Sequence, residues 1–165
     1  TSCFVMIGLP GETSENVMET IDLLAQSKPG RFRWTFFYPF PGTEAYTISE
    51  QGGYIDFEKK EQLVNFTDTT CLDFGEEQNL FLKKVGRVMP WFVNARAETD
   101  CSQVYRQKVD ELLALDETAW DAVADTLIDT DKQLSSQMAD AGITHYAIKY
   151  NRFMGVISDY FLEED

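Results

Sequence analysis

The side chains able to do chemistry in this 165-residue chain are few and scattered. Cys3, Cys71 and Cys101 are separated by 68 and 30 residues, a spacing that suits neither a metal-binding loop nor a disulfide framework. His145 is the one histidine, which excludes two-histidine metal sites, and beside Tyr146 it reads as a surface or helix-start residue. Asp129 and Asp131 have the chemistry to hold a hard cation, but their spacing fits no EF-hand loop. No Ser-His-Asp set is readable. The rings of Trp34, Phe36, Phe37 and Tyr38 are of the kind that stacks bases, yet the surrounding charge favours a buried strand. What remains is a pair of phrases rich in Gly and Pro: Ile7-Gly8-Leu9-Pro10-Gly11-Glu12-Thr13 and Tyr38-Pro39-Phe40-Pro41-Gly42-Thr43-Glu44. Each closes an apolar run. In parallel α/β proteins the loops at the carboxyl ends of strands carry the ligand site. The first phrase is not a P-loop, because no Lys follows its second Gly to meet phosphates.

The elements that would position these phrases can be read in order. Residues 3–9 form a short, nearly unbroken apolar run, the pattern of a parallel strand buried on both faces. Thr13 or Ser14 then caps a helix, and Glu15 puts negative charge in its first turn. Val17, Ile21 and Leu24 repeat at helical spacing until Lys28-Pro29-Gly30 stops them. Residues 31–38 make the second strand, which ends at Pro39 and Pro41 because neither can donate to a ladder. Glu44 to Asp56 reads as a loop with one helical turn, and Gly52-Gly53 as a turn. Residues 57–75 form a connector, with a short helix over Phe57–Asn65.

From Glu76 the spacing predicts helices. Phe81, Val85, Val88, Met89 and Phe92 mark the first, and Pro90 must end or kink it. Tyr105, Val109, Leu112 and Leu113 mark the next. Trp120, Val123, Leu127, Leu134 and Met138 mark a third, with Asp121, Asp125 and Asp129 on its wet side and Gly142 as its stop. Tyr146, Tyr150, Phe153, Ile157 and Phe161 mark a fourth, with Gly155 as its weak point. The expected fold is therefore α/β: two β-α units over residues 1–56, the connector over 57–75, and a mainly helical region over 76–165. Two strands do not make a stable sheet. Further strands upstream, or pairing of the strand edges between copies of the chain, are expected to complete it. The start at Thr1, inside a strand and without Met, predicts a fragment.

The formal net charge is −14 and uneven: residues 1–97 carry 13 acids and 9 bases, residues 98–165 carry 15 acids and 5 bases. So acidic a surface repels phosphate backbones, which argues against nucleic acid as a partner. No apolar run is long enough to span a bilayer, and no signal peptide is evident. Membrane association is not expected, and the scattered cysteines predict a reducing, cytoplasmic setting.

The two phrases together resemble the second half of a radical S-adenosylmethionine (SAM) enzyme. They are closest to the branch found with an N-terminal cobalamin-binding domain, similar to anaerobic magnesium-protoporphyrin ester cyclases. In that family a Gly-(Leu/Phe)-Pro-Gly-Glu-Thr turn closes the fifth strand of a partial (β/α)6 barrel of TIM type. A Tyr-x-Pro-x-Pro-Gly-Thr phrase closes the next. The resemblance covers about residues 1–55. It implies the last two β-α units of a partial barrel, followed by a helical region that covers the barrel or shapes the substrate pocket. It further implies an iron–sulfur oxidoreductase or transferase that cleaves SAM reductively to start radical chemistry on a small-molecule substrate. Cobalamin is an additional cofactor this branch admits.

By the same resemblance, Met6, Ile7, Gly8, Leu9, Pro10, Gly11, Glu12 and Tyr38 line the adenine side of SAM. Gly8 and Gly11 let the backbone approach a flat ring. Met6 and Ile7 offer apolar contact, and amides at the start of the next helix favour polar or anionic atoms. Glu12 reads as the residue that fixes the loop. The family's [4Fe–4S] cluster needs a Cys-x-x-x-Cys-x-x-Cys loop, and this chain has none. The chain by itself is therefore expected to be inactive, with no catalytic or metal-binding residue of its own. Its natural partner would be the missing N-terminal half. Two other readings are a non-catalytic acidic helical interaction module and a scaffold barrel that has lost its cluster.

Overall fold

The computed structural model describes residues 1–63, 69–151 and 156–163. In chain order its elements are β1 (Ser2–Ile7), α1 (Ser14–Ser27), β2 (Arg31–Phe36), α2 (Glu44–Gln51) and α3 (Phe57–Gln62). Then come α4 (Glu76–Arg96), α5 (Ser102–Leu113), α6 (Glu117–Val123), a 3₁₀ turn at Ala124–Thr126, α7 (Leu127–Asp140), β3 (His145–Asn151) and β4 (Val156–Glu163). The result is a mixed α/β fold around one four-stranded sheet of order β1-β2-β4-β3. No helix among the described residues is long and apolar enough to cross a membrane.

β1, α1 and β2 form a βαβ unit. The two strands are parallel and in register from Ser2 opposite Arg31 to Ile7 opposite Phe36. Thr13 caps α1 in a reciprocal box with Asn16, and Lys28, at φ 43°, closes it. One sheet face carries Val5, Ile7, Phe32, Trp34 and Phe36 into the core against α1 and α4. On the other face Phe4 is 69% and Met6 49% exposed. β1 is thus not buried on both faces, as its apolar run predicts. It alternates, with every second side chain turned from the core.

α4 lies across the core face, and Pro90 kinks it as its sequence position requires. Val88 leaves helical geometry at φ −140°, ψ 44°. Helix α5 buries Tyr105, Val109 and Leu112. The expected helix over Trp120–Met138 is broken by the 3₁₀ turn into α6 and α7. The expected loop after Glu44 contains an eight-residue helix, α2, capped by the Thr43 side chain. The short helix expected from Phe57 is α3; the expectation's last residues, Val64 and Asn65, lie outside the described residues.

The largest correction concerns the C-terminal segment. The helix expected over Tyr146–Phe161 is instead the antiparallel hairpin β3–β4; Phe153 and Gly155 lie outside the described residues. β4 pairs with β2 at Arg31 opposite Phe161 and Phe32 opposite Tyr160. The chain's own end thus supplies the strands that two β-α units lack. β3 is an edge strand, and three of its outward backbone groups are taken by side chains. Asn94 of α4 donates to the Tyr146 carbonyl (2.9 Å) and accepts from its amide (2.8 Å), while Asp131 of α7 accepts from the Ile148 amide (3.1 Å). A helical spacing of apolar residues cannot reveal this, because the backbone partners come from residues far away in sequence.

Candidate functional site

Because β1 and β2 run parallel, the turn after Ile7 and the loop after Phe36 emerge at the same end of the sheet. A small second core of Phe37, Ile55 and Leu72, flanked by Tyr46, Tyr54 and Phe74, supports the loop layer there. The Gly8–Thr13 turn is held by Glu12. Its Oε2 accepts from the amides of Gly8 (2.5 Å) and Leu9 (3.3 Å), and its own amide donates to the Leu9 carbonyl (2.9 Å). Burial raises the Glu12 carboxyl above its ordinary pKa, and the two amide hydrogen bonds only partly offset this. Gly8 and Gly11 stand at φ +76° and +82°, a region side chains avoid, so the turn requires glycine at both.

The turn forms one side of a cleft of about 600 Å³. Gly11, Glu12, Thr13 and Ser14 line one wall, and Gly75 to Gln78 at the start of α4 line the opposite one. Tyr54, Phe74 and Phe81 complete it with aromatic surface. The Gln78 side chain donates to the Glu12 carbonyl at 3.3 Å, tying the two walls together. A volume of this size suits a small molecule. The α4 wall is not legible in the sequence as a site. The signals for it are Gly75, at φ +90° where the chain enters α4, and an aromatic residue after Gly52-Gly53.

The structure disperses the other residues expected at the adenine surface. Met6 lies on the open sheet face, whereas Ile7, its neighbour in the strand, is wholly buried in the core and offers no ligand surface. Gly8 is buried too, while Leu9 and Gly11 are exposed and Pro10 is half-buried. Neither Met6 nor Tyr38 lines the cleft. Tyr38 packs edge-on against Phe40 at 4.8 Å, and the Lys60 ammonium sits 5.8 Å from its ring and 5.1 Å from that of Tyr46.

The remaining candidates are structural. Cys71 and Cys101 are buried far apart in the fold, Cys3 is half-buried on β1, and burial raises the Cys71 and Cys101 thiols. These cysteines do not fit an iron–sulfur cluster, and among the described residues no three His, Cys, Asp or Glu side chains gather to hold a metal ion. Asp129 is exposed and paired with Lys132 at 2.8 Å, whereas Asp131 faces the core and accepts from Trp91 Nε1 at 2.7 Å. The two do not share a cation site. His145, read from sequence as a surface or helix-start residue, is 1% exposed and opens β3.

The chain matches no family model, no curated protein and no solved structure.

Proposed function

We propose that this chain is the closing part of a radical SAM enzyme of the cobalamin-associated branch, built from the last two β-α units of a partial barrel. In this reading the enzyme cleaves SAM reductively to start radical chemistry on a small-molecule substrate. The cluster cysteines belong to a part of the protein outside these residues. This chain contributes the wall beside adenosine: the Gly8–Glu12 turn, with Met6, Leu9 and Pro10 as apolar surface, Ile7 as the anchor beneath, and Tyr38 on the next loop.

The observation that carries the reading is the asymmetry of the sheet edges. On the β3 edge Asn94 and Asp131 take the Tyr146 amide and carbonyl and the Ile148 amide. The β1 edge has no strand partner among the described residues and carries neither of two common guards, a charge or a proline. Ser2-Cys3-Phe4-Val5-Met6-Ile7 contains no charge and no proline. Beside that edge, on the face turned from the helices, stand exposed Phe4 and Met6. A barrel continued by further parallel strands on β1 would cover both. Without those strands, copies of the chain are expected to pair through the same edge.

The test is the gene product read from its own start codon. A Cys-x-x-x-Cys-x-x-Cys loop is expected about 100 to 150 residues before Thr1, a distance set by the size of such barrels. With its cluster reconstituted, the whole protein should bind SAM, and Gly8→Val should weaken that binding at least about tenfold, roughly 1.4 kcal/mol. A reading frame without the three cysteines, or SAM affinity indifferent to the turn, overturns the reading and leaves an acidic binding or scaffold module.

A further inference from the structure

Among the described residues no Lys, Arg or His lines the cleft between the Gly11–Ser14 turn and the start of α4, whereas three carboxylic residues do: Glu12, Glu76 and Glu77. Glu12 spends its carboxylate on the Gly8 and Leu9 amides. Glu76 and Glu77 are exposed and make no ion pair among the described residues. Tyr54, Phe74 and Phe81, each half-buried, supply the apolar surface. The Tyr54 and Phe74 rings stand 5.5 Å apart and are tilted by 44°. Phe81 rests on the main core without being covered by it. The space enclosed, about 600 Å³, is that of a small-molecule site.

Magnitudes decide which ligand charge the cleft accepts. The N-termini of α1 and α4 both meet it, and each carries a partial positive charge of roughly half a unit. Alone, these ends would favour an anion. Thr13 and Asn16 already cap α1, however, and Glu76 and Glu77 put two full negative charges on the first turn of α4. With no base in the lining, the carboxylates outweigh the helix ends, and the cleft disfavours phosphates and carboxylates. A small metal ion fits no better, because among the described residues no three His, Cys, Asp or Glu side chains gather closely enough to hold one. Diffuse negative charge beside aromatic rings suits a large organic cation, which is attracted to the negative faces of the rings.

We propose that the cleft binds a small organic cation of the quaternary ammonium class, with Tyr54, Phe74 and Phe81 against its alkyl groups and Glu76 and Glu77 balancing its charge. The cavity and its aromatic surface make the site, and the carboxylates set the sign of the ligand. This site is separate from the adenosine wall and does not rest on the SAM reading. Of the residues placed beside adenosine, only Gly11 and Glu12 line the cleft.

Titration of the intact chain with tetramethylammonium chloride, followed by NMR, tests it. Saturable shifts are expected in the rings of Tyr54, Phe74 and Phe81 and in the amides of the first turn of α4. tert-Butanol, of similar shape but uncharged, should bind at least about tenfold more weakly. Phe81→Leu keeps apolar bulk but removes a ring, and should weaken tetramethylammonium binding about threefold. Glu76→Gln/Glu77→Gln, at exposed positions, should weaken it by about the same factor. Should Phe81→Leu fail to fold, the double Gln variant decides. No saturable shift, equal affinity for tert-butanol, affinity indifferent to these variants, inorganic phosphate bound in the cleft, or shifts scattered over the acidic helices overturns the proposal. No step of the titration involves SAM, so its failure leaves the SAM reading standing, and the failure of that reading leaves this site standing.

Discussion

The indole Nε1 of Trp34 donates to the main-chain carbonyl of Gly86 at 3.0 Å, and Gly86 stands four residues before Pro90. Pro90 has no N–H, so this carbonyl is the one its position in the helix leaves without a donor. The β2 strand supplies the donor that α4 cannot. Sheet and helix are thereby locked at the kink. Trp34→Phe should keep most of the packing yet leave the carbonyl unpaired, at a cost of about 1–3 kcal/mol. Chemical denaturation measures it. In a Pro90→Ala background the helix regains its own N–H, and the cost should shrink; an equal cost in both backgrounds would refute the lock.

Gly86 also meets the Phe36 ring. A Cβ built on it would fall 2.3 Å from Phe36 Cζ, well inside contact distance. Gly86→Ala should therefore destabilise the chain by about 1–3 kcal/mol through overpacking, despite the better helix propensity of Ala. Adding Phe36→Leu should return part of that loss. Thermal unfolding of the single and double variants checks the sign.

Asn94 serves as a substitute strand for β3. Asn94→Ala leaves the buried amide and carbonyl of Tyr146 without partners, each worth about 1–3 kcal/mol. Hydrogen exchange should show the Tyr146 amide losing protection well beyond the change in global stability. Protection that falls only in step with global unfolding would mean that the hairpin does not depend on Asn94.

Asp131 should give the fold an unusual pH signature. Burial, the largest influence, raises its carboxyl above the ordinary 3.8, while its hydrogen bonds from Trp91 and Ile148 pull it back. A folded pKa above the unfolded one means that the native state holds the proton more tightly. The contribution to stability is then full at low pH and is lost as pH climbs from the unfolded value through the folded one. The exposed carboxylates of Asp73, Glu111, Glu117 and Asp129 shift the other way. The quantity to follow is therefore the stability of wild type minus that of Asp131→Asn, which cancels them. It should fall as pH rises above about 4; a difference that rises with pH contradicts the assignment.

Glu12 holds the turn beside the cleft through the Gly8 and Leu9 amides. In Glu12→Ala both amides lose their acceptor, and their exchange should speed up about tenfold, equivalent to roughly 1.4 kcal/mol of local stability. Global stability should change less, since the turn lies outside the main core. Unchanged exchange at Gly8 would show that glycine geometry alone sets the turn.

Local chemistry made much of the N-terminal half legible. Thr13 could be read as a cap, Lys28 to Gly30 as a stop, and the two Gly-Pro phrases as strand ends, because each acts within a few residues of itself. Pro90 announced its kink for the same reason. The helix spacings at 76–92 and 105–113 also held, save that Leu113 is exposed, since an amphipathic helix carries its own hydrogen bonds and needs only one apolar face.

The sequence by itself thus determined where the chain bends, caps and starts its helices. The tertiary structure alone decided the rest: that Tyr146 lies in a strand and not a helix, that His145 is buried, and that Gly75 to Gln78 face the Gly11–Glu12 turn. A strand is completed by backbone partners elsewhere, here β2, Asn94 and Asp131, and a cleft by walls that meet only after folding. Such pairings are fixed by the packing of the whole core, which no local window of residues contains.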